Sequence, residues 1–335
     1  MNYIDKERLS RLQDTFGRNF RLTRLYAEYL ERFPEAITSD MISALTEDGN
    51  ISKAEAIVAL LSEMFALDFG NGEDRILIRD YITPSVRLMR AEKYLNNPYY
   101  KNVKIPEAKD GAWEFKWEEY APYRAVIVGD MEIGDDFSEF APLGFFEKPF
   151  RFPAVLEDGN EWMTLTPVDL DTSEEAINAA HGKVVTFGLG LGYYAYMVSE
   201  KPTVESITVI EKSPDVIRLF EKYILPQFTH PEKVRVICAD AFEYAERDMP
   251  AERFDVAFVD TWRDASDGAA MYLRMKKLEN LNTGTRFLYW IENFLISRIR
   301  ALKYSELMSQ IDSQSQNAPE SYLEIVNALT ENLLD

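Results

Sequence analysis

From Asp5 to Phe33, charged residues alternate with Leu9, Leu12, Phe16, Phe20, Leu25 and Leu30. That spacing is near 3.6 residues and predicts an amphipathic helix. Ser52, with Glu55 three positions on, reads as a capping box. Behind it Ile57, Leu60, Leu61, Met64 and Phe65 form an apolar stripe suited to packing on neighbouring helices. Residues 1–97 are thus expected to be an N-terminal helical domain. The pattern changes over 98–170, where aromatics, prolines and short alternating runs appear. Trp113–Trp117 and Tyr123–Val128 read as strands, and Asp158-Gly159 between Phe152–Leu156 and Trp162–Leu165 is a hairpin signal. This span is expected to be a small β-rich connecting segment.

Residues 171–335 alternate helix and strand. Thr172 with Glu175 reads as a second capping box, opening a helix that ends at Gly182. Four apolar runs then predict strands, at Val184–Phe187, Ile207–Ile210, Val234–Ile237 and Phe254–Val259, and a fifth is expected at Arg286–Trp290. A helix should start near Tyr193, and Ser213-Pro214 supplies an N-cap and an N1 proline for another over Asp215–Ile224. The alternation predicts an α/β fold with a mostly parallel sheet and helices on both faces. Asn293–Ile311 and Pro319–Leu334 both read as helical, and Asp312–Gln316 as a plain linker. That helical end leaves no evident room for further strands, so the sheet is expected either to be short or to be completed from 98–170.

Composition narrows the chemistry. The chain has 335 residues, of which 57 are acidic and 37 basic, for a formal charge of −20. Such a balance repels a phosphate backbone, so nucleic acid is not an expected partner. One cysteine, Cys238, leaves no internal disulfide framework and no Cys-rich zinc site. The two histidines, His181 and His230, are far apart, which supplies Ser-His-Asp chemistry poorly; His181 reads as a surface or capping residue. Asp48–Ser52 with Glu55 has the look of the back half of a calcium loop, but Ala44 and Thr46 stand at the first two ligand positions. A capped helix–turn–helix is expected there, and no metal site. Met1–Lys6 has no basic segment leading into an apolar run, and the apolar stretches fall short of the ~20 residues that span a bilayer. A cytoplasmic protein without a membrane partner is expected, and a homo-oligomer is allowed.

The chemically informative stretch is Val184-Val185-Thr186-Phe187-Gly188-Leu189-Gly190-Leu191-Gly192. Glycines directly after a buried strand let the backbone turn sharply and approach a ligand. Tyr193 stands where a dinucleotide fingerprint needs a small residue, and no Gly-Lys-Ser/Thr follows to make a phosphate loop. Three acids sit at expected strand ends: Glu211, 19 residues after Gly192, then Asp240 and Asp260. In an open α/β sheet these carboxyl ends border one crevice, where a carboxylate at Glu211 can accept bonds from ribose hydroxyls.

These motifs make residues 182–290 resemble the core of the class I S-adenosylmethionine-dependent methyltransferases, with a Rossmann-like fold. The resemblance implies S-adenosyl-L-methionine as cofactor, with Gly188, Gly190 and Gly192 as its loop. It further implies Glu211 on the ribose and Asp240 beside Ala241 and Phe242 on the adenine. Asp260 would fall near the methionine end and the acceptor. The hairpin before this core and the Val259–Gly268 stretch are also similar to spermidine synthases, which use the decarboxylated nucleoside. No Asn/Asp-Pro-Pro-Tyr/Phe follows the fourth strand, which removes the main argument for a nucleobase acceptor.

The leading expectation is methyl transfer to a small-molecule or protein acceptor, with Asp260 or Asp264 as catalytic base. The alternatives are aminopropyl transfer, with Asp260, Asp264 and Asp267 holding a polyamine, and a cofactor-binding protein without catalysis. One of Tyr193, Tyr194 and Tyr196 is a candidate to lie against the sulfonium. Trp262 is a candidate wall of the acceptor pocket or an interdomain packing residue.

Overall fold

A computed structural model of the chain describes residues 3–315 and 318–334. Met1 and Asn2 of the opening stretch, and Gln316 of the expected linker, lie outside the described residues. The chain forms two compact units. The first gathers residues 1–89, 122–147 and 293–335, and the second 90–121 and 148–292. The units are not contiguous in sequence, so their limits differ from the expected boundaries at 97 and 170.

In the first unit, helix α1 (Tyr3–Arg32) and helix α2 (Lys53–Met64) form where periodicity and capping predict. Glu55 accepts from Ser52 N at 2.7 Å while its own N donates to Ser52 Oγ at 3.3 Å, so two donors at the start of α2 are satisfied together. Ala56, Ile57, Leu60 and Leu61 are buried in the core with Leu22, Tyr26 and Tyr29 of α1. The expected helical domain also holds a strand. Val86–Met89 pairs in parallel with Leu143–Phe146, which pairs antiparallel with Ala125–Ile127. Gly144 in the middle strand has no room for a side chain, since a Cβ there would sit 2.2 Å from Val128 Cγ1.

The second unit opens with two short helices, Ala91–Leu95 and α3 (Pro98–Asn102), the latter a helix where a β-rich stretch is expected. Asn97 caps it and Pro98 fills the first position, where a missing N–H costs nothing. Four strands follow as a separate antiparallel sheet, in the order Lys109–Asp110, Trp113–Tyr120, Phe150–Glu157, Asn160–Thr164. The last two are joined at Asp158-Gly159, as the hairpin signal predicts. The next capping box is Thr166 with Asp169, not Thr172 with Glu175. It opens a helix at Pro167–Thr172, and a second short helix ends at Ala179. Thr172 instead donates its hydroxyl to Val168 O within the first helix, and Gly182 begins a strand.

The α/β core then runs β1 (Gly182–Phe187), α4 (Tyr193–Ser199), β2 (Val204–Glu211), α5 (Pro214–Leu219), β3 (Val234–Cys238), α6 (Ala241–Arg247), β4 (Val256–Val259), α7 (Ala265–Leu278) and β5 (Arg286–Tyr289). Val184, Val185, Phe187, Val256, Ala257, Phe258 and Val259 are all buried, so the two central strands read as continuous apolar runs. The strands pair in parallel in the order β3-β2-β1-β4-β5. With right-handed crossovers this order places helices on both faces. It is a Rossmann-like sheet of five strands; no strand from 98–170 joins it. The order reverses between β1 and β4, which opens a crevice beyond their carboxyl ends.

After β5 the chain returns to the first unit as α8 (Glu292–Asp312) and α9 (Tyr322–Leu329). The first takes in the start of the expected linker, and the second is shorter than the expected 319–334. Tyr304 of α8 stacks on Phe16 of α1, with ring centroids 3.8 Å apart, beside Leu307, Ile325 and Leu329. Arg300 and Glu139 form a buried ion pair at 2.6 Å, and Ser297 donates to the second oxygen of Glu139 at 2.6 Å. No helix among the described residues is long and apolar enough to cross a membrane.

Candidate functional site

The glycine loop leaves β1 at the reversal point of the sheet. Gly188, Gly190 and Gly192 have φ of +97°, +56° and +75°, a region that side chains disfavour. Their surroundings differ. A Cβ on Gly188 would lie 1.9 Å from Asp260 O, and one on Gly192 would lie 2.5 Å from the Phe220 ring. Those two glycines are required by packing. At Gly190 the nearest atom is Met163 Sδ at 3.9 Å, so this glycine borders open space. Beside it Trp162, Met163, Leu191, Val216 and Phe220 help to line a small apolar recess.

Glu211 ends β2 and clasps the loop. One carboxylate oxygen accepts from Leu189 N at 3.2 Å and the other from Ser213 N at 2.8 Å. Each oxygen keeps a further lone pair, so the group can still accept from two ligand hydroxyls. Asp240 caps α6, its Oδ1 accepting from Phe242 N at 2.9 Å and Glu243 N at 3.1 Å. Asp240 is exposed, Ala241 half-buried and Phe242 buried, with Arg274 Cζ 4.2 Å from the Phe242 ring centre. The second Asp240 oxygen can still accept a further hydrogen bond.

Asp260 follows β4 and is tied to β1 through its backbone N, which donates to Phe187 O at 2.8 Å. Its side chain is half-buried. Burial, reinforced by the negative charges of Asp169 and Glu211, pushes its carboxyl up to about 8. Asp169 is pushed up to about 6, chiefly by burial, against the pull of bonds from the Thr166 N and hydroxyl. Neither these two residues nor Glu211 has a Lys, Arg or His ion-pair partner among the described residues. Sequence reasoning passed over Asp169. Its signal was present in Thr166-Pro167-Val168-Asp169, a capping box with proline at the first helical position.

Asp264 is differently employed. It caps α7, accepting from Ser266 N at 2.6 Å, while Asp267 accepts from Arg263 N and Asp264 N at 3.2 Å. The Ser266 bonds hold the Asp264 carboxyl below the usual carboxylate range. Tyr193, Tyr194 and Tyr196 are all buried, with their hydroxyls bonded to Asn97, Ala176 O and Asn102. The structure therefore gives all three to packing. Trp262 is buried over Tyr289 with its indole N–H unpartnered. His181 is exposed, with Nδ1 2.9 Å from Ala179 O.

No family model matches the sequence, and no curated protein matches it. Solved structures do. The spermidine synthase from Thermotoga maritima matches with 18% identity and a TM-score of 0.26, over 51% of this chain and 63% of that one. A spermidine synthase in complex with the transition state analogue AdoDATO matches with 15% identity and a TM-score of 0.33, over 60% of this chain and 74% of that one. This chain thus spans just under two thirds of the length of the first. The Rossmann-like assignment rests on the chain's own strand order and register.

Proposed function

We propose that this protein is a transferase that binds a sulfonium nucleoside of the S-adenosylmethionine kind and alkylates an amine acceptor. Methyl transfer to a small molecule or protein side chain is the leading form. The observation that supports this is the trio Asp169, Glu211 and Asp260 around the glycine loop, with no ion-pair partner among the described residues. Carboxylates crowded together without a cation of their own favour a cationic ligand.

When bound, the sulfonium supplies an activated carbon whose leaving group is a neutral thioether. Glu211 would accept from the two ribose hydroxyls, and Asp240 from the adenine amino group beside Ala241 and Phe242. Gly188 and Gly192 hold the loop in shape, and Gly190 leaves the ligand room to approach. The chain's main contribution to rate is alignment of the acceptor nitrogen with the carbon. Asp260 takes the proton that the alkylated nitrogen sheds. With its carboxyl pushed up to about 8, Asp260 holds its own proton at neutral pH in the ligand-free chain, and the positive charge of the bound sulfonium draws it into the ionised form that can accept one; Asp264 already caps α7.

A second reading, aminopropyl transfer from the decarboxylated nucleoside, is favoured by the same crowding. The α-carboxylate of S-adenosylmethionine would be repelled by ionised Asp169, and the decarboxylated donor lacks it. Against this reading, the backbone at the start of α7 already takes up part of both groups, Ser266 N donating to Asp264 and Arg263 N and Asp264 N to Asp267. Calorimetric titration with S-adenosylmethionine, its decarboxylated form and S-adenosylhomocysteine tests both. Tighter binding of the carboxylated donor supports methyl transfer, and tighter binding of the other supports aminopropyl transfer. Folded protein that binds none of the three would overturn both.

A further inference from the structure

The glycine loop is a weak structural element on its own. Three left-handed glycines within five residues give it little intrinsic rigidity, because glycine loses more backbone freedom on ordering than any other residue. The Leu191 carbonyl lies between two of them, ahead of the first turn of α4, whose opening bond runs from Tyr196 N to Gly192 O. Its hydrogen-bond donor comes from far away in sequence: the Tyr99 hydroxyl.

Tyr99 is one of four tethering residues on α3 and its cap. Asn97 accepts from Tyr99 N at 2.9 Å and donates through Nδ2 to the Tyr193 hydroxyl at 3.1 Å. Asn102 donates to the Tyr196 hydroxyl at 2.8 Å. The Tyr99 ring lies edge-on to Tyr193 and Tyr196, with centroids 5.6 and 5.5 Å away. Tyr100 points to the other wall, donating to Leu165 O at 2.6 Å, next to the Thr166–Asp169 capping box. One five-residue helix therefore holds both the glycine loop and the turn that carries Asp169.

We infer that α3 is a brace for the site, with Tyr99 the positioning residue for the glycine loop and Tyr100 the positioning residue for the acid-bearing turn. Burial pushes both phenols above their ordinary range, so each remains a hydrogen-bond donor at any working pH. What the braced loop binds rests on the function proposed above; the bracing itself rests on the bonds alone.

The test uses full-length protein, amide hydrogen exchange of ligand-free samples read by mass spectrometry, and calorimetry with S-adenosylhomocysteine. Tyr99→Phe keeps the ring and removes the donor, leaving a buried carbonyl unpaired. It is expected to raise exchange over residues 188–193 about tenfold while other core peptides stay at parental rates. It should weaken S-adenosylhomocysteine about tenfold. Tyr100→Phe should leave those residues at parental exchange and speed exchange over 164–170. Asn102→Ala, which cuts a tie beyond the loop, should stay within about twofold over 188–193. If Tyr99→Phe does not fold, Asn97→Ser serves, since serine keeps the cap but is too short to reach the Tyr193 hydroxyl; a smaller local rise is expected. Parental loop exchange in Tyr99→Phe, or an equal rise in every peptide, overturns the brace. If the parent protein binds no S-adenosylhomocysteine, the proposed function falls, and the exchange pattern still decides the brace.

Discussion

Gly188 and Gly190 stand two residues apart with the same left-handed backbone, yet their replacement should have opposite readouts. At Gly188 a methyl would strike the Asp260 carbonyl at 1.9 Å, a backbone atom that cannot swing aside. Gly188→Ala is expected to cost more than about 3 kcal/mol and to unfold well below the parent in urea. At Gly190 the space is open, so Gly190→Ala carries only the left-handed backbone cost of roughly 1–2 kcal/mol. It should fold and yet lose nucleoside affinity, because its methyl occupies the ligand's approach. Equal stability of the two variants would contradict this geometry. Asp260 makes a second residue-scale prediction. Its carboxyl keeps a proton up to about 8 in the folded chain, while an unfolded Asp releases it near ~4. Between those values the folded state binds more protons, so stability declines as pH rises through the window. Asp260→Asn should therefore match the parent near pH ~4 and exceed it by about 1–3 kcal/mol near pH ~8. Thermal melts across that range would show the divergence, and parallel curves would refute it. The glycines and the strand-end acids were legible from the sequence because each follows an apolar run that fixes where the strand stops. Asp169 was not, because its place near Asp260 depends on how two distant turns fold together.

Individual elements were legible in proportion to how locally they are determined. The five core strands stand out because each carries a short, mostly apolar and β-branched or aromatic run set off by turn or charged residues, most plainly Val256–Val259. The caps at Ser52 and Ser213 were equally plain, since a hydroxyl and the amide three residues on need no distant partner. Val86–Met89 was missed because it pairs with Leu143–Phe146, far along the chain, and alternates too weakly to declare itself. Thr166 and Thr172 both stand three residues before an acid, and only the fold decides which one caps a helix. The same ambiguity touches Asp264, which fits either a base or a cap by sequence. Two substitutions separate those roles. Asn caps helices about as well as Asp, so Asp264→Asn should keep both stability and turnover within about twofold. Asp264→Ala should cost about 1 kcal/mol, lowering the melting temperature with little effect on the rate of any transfer measured well below it. A large loss of turnover in Asp264→Asn, with unchanged melting, would restore Asp264 as a catalytic candidate.

At the scale of the whole chain, the division into two units was not legible, for a physical reason. Composition and periodicity report on neighbours in sequence, whereas the first unit is assembled from 1–89, 122–147 and 293–335. What joins those three segments is a set of contacts with high sequence separation, and the buried pair Arg300–Glu139 lies among them. Glu139 comes from the middle segment and also takes a bond from Ser297, while Arg300 donates through Nε to Leu329 O at 3.2 Å at the end of α9. Asn19 of α1 accepts from Glu139 N at 3.1 Å, so all three segments meet around one charge pair. Removing one partner strands the other charge away from water. Arg300→Met is accordingly expected to cost about 3–5 kcal/mol, far more than an exposed ion pair would. Replacing both, with Glu139→Leu and Arg300→Met, removes the stranded charge and fills the space with apolar atoms. That double variant should recover most of the loss, falling short by about 1 kcal/mol for the Leu329 carbonyl that remains unpaired. Ser297 does not add to the deficit, because a helical serine can turn its hydroxyl to a carbonyl one turn back. A double variant no more stable than Arg300→Met in urea unfolding would mean that the bonds to Ser297 and Leu329, and not the charge pair, hold the three segments together.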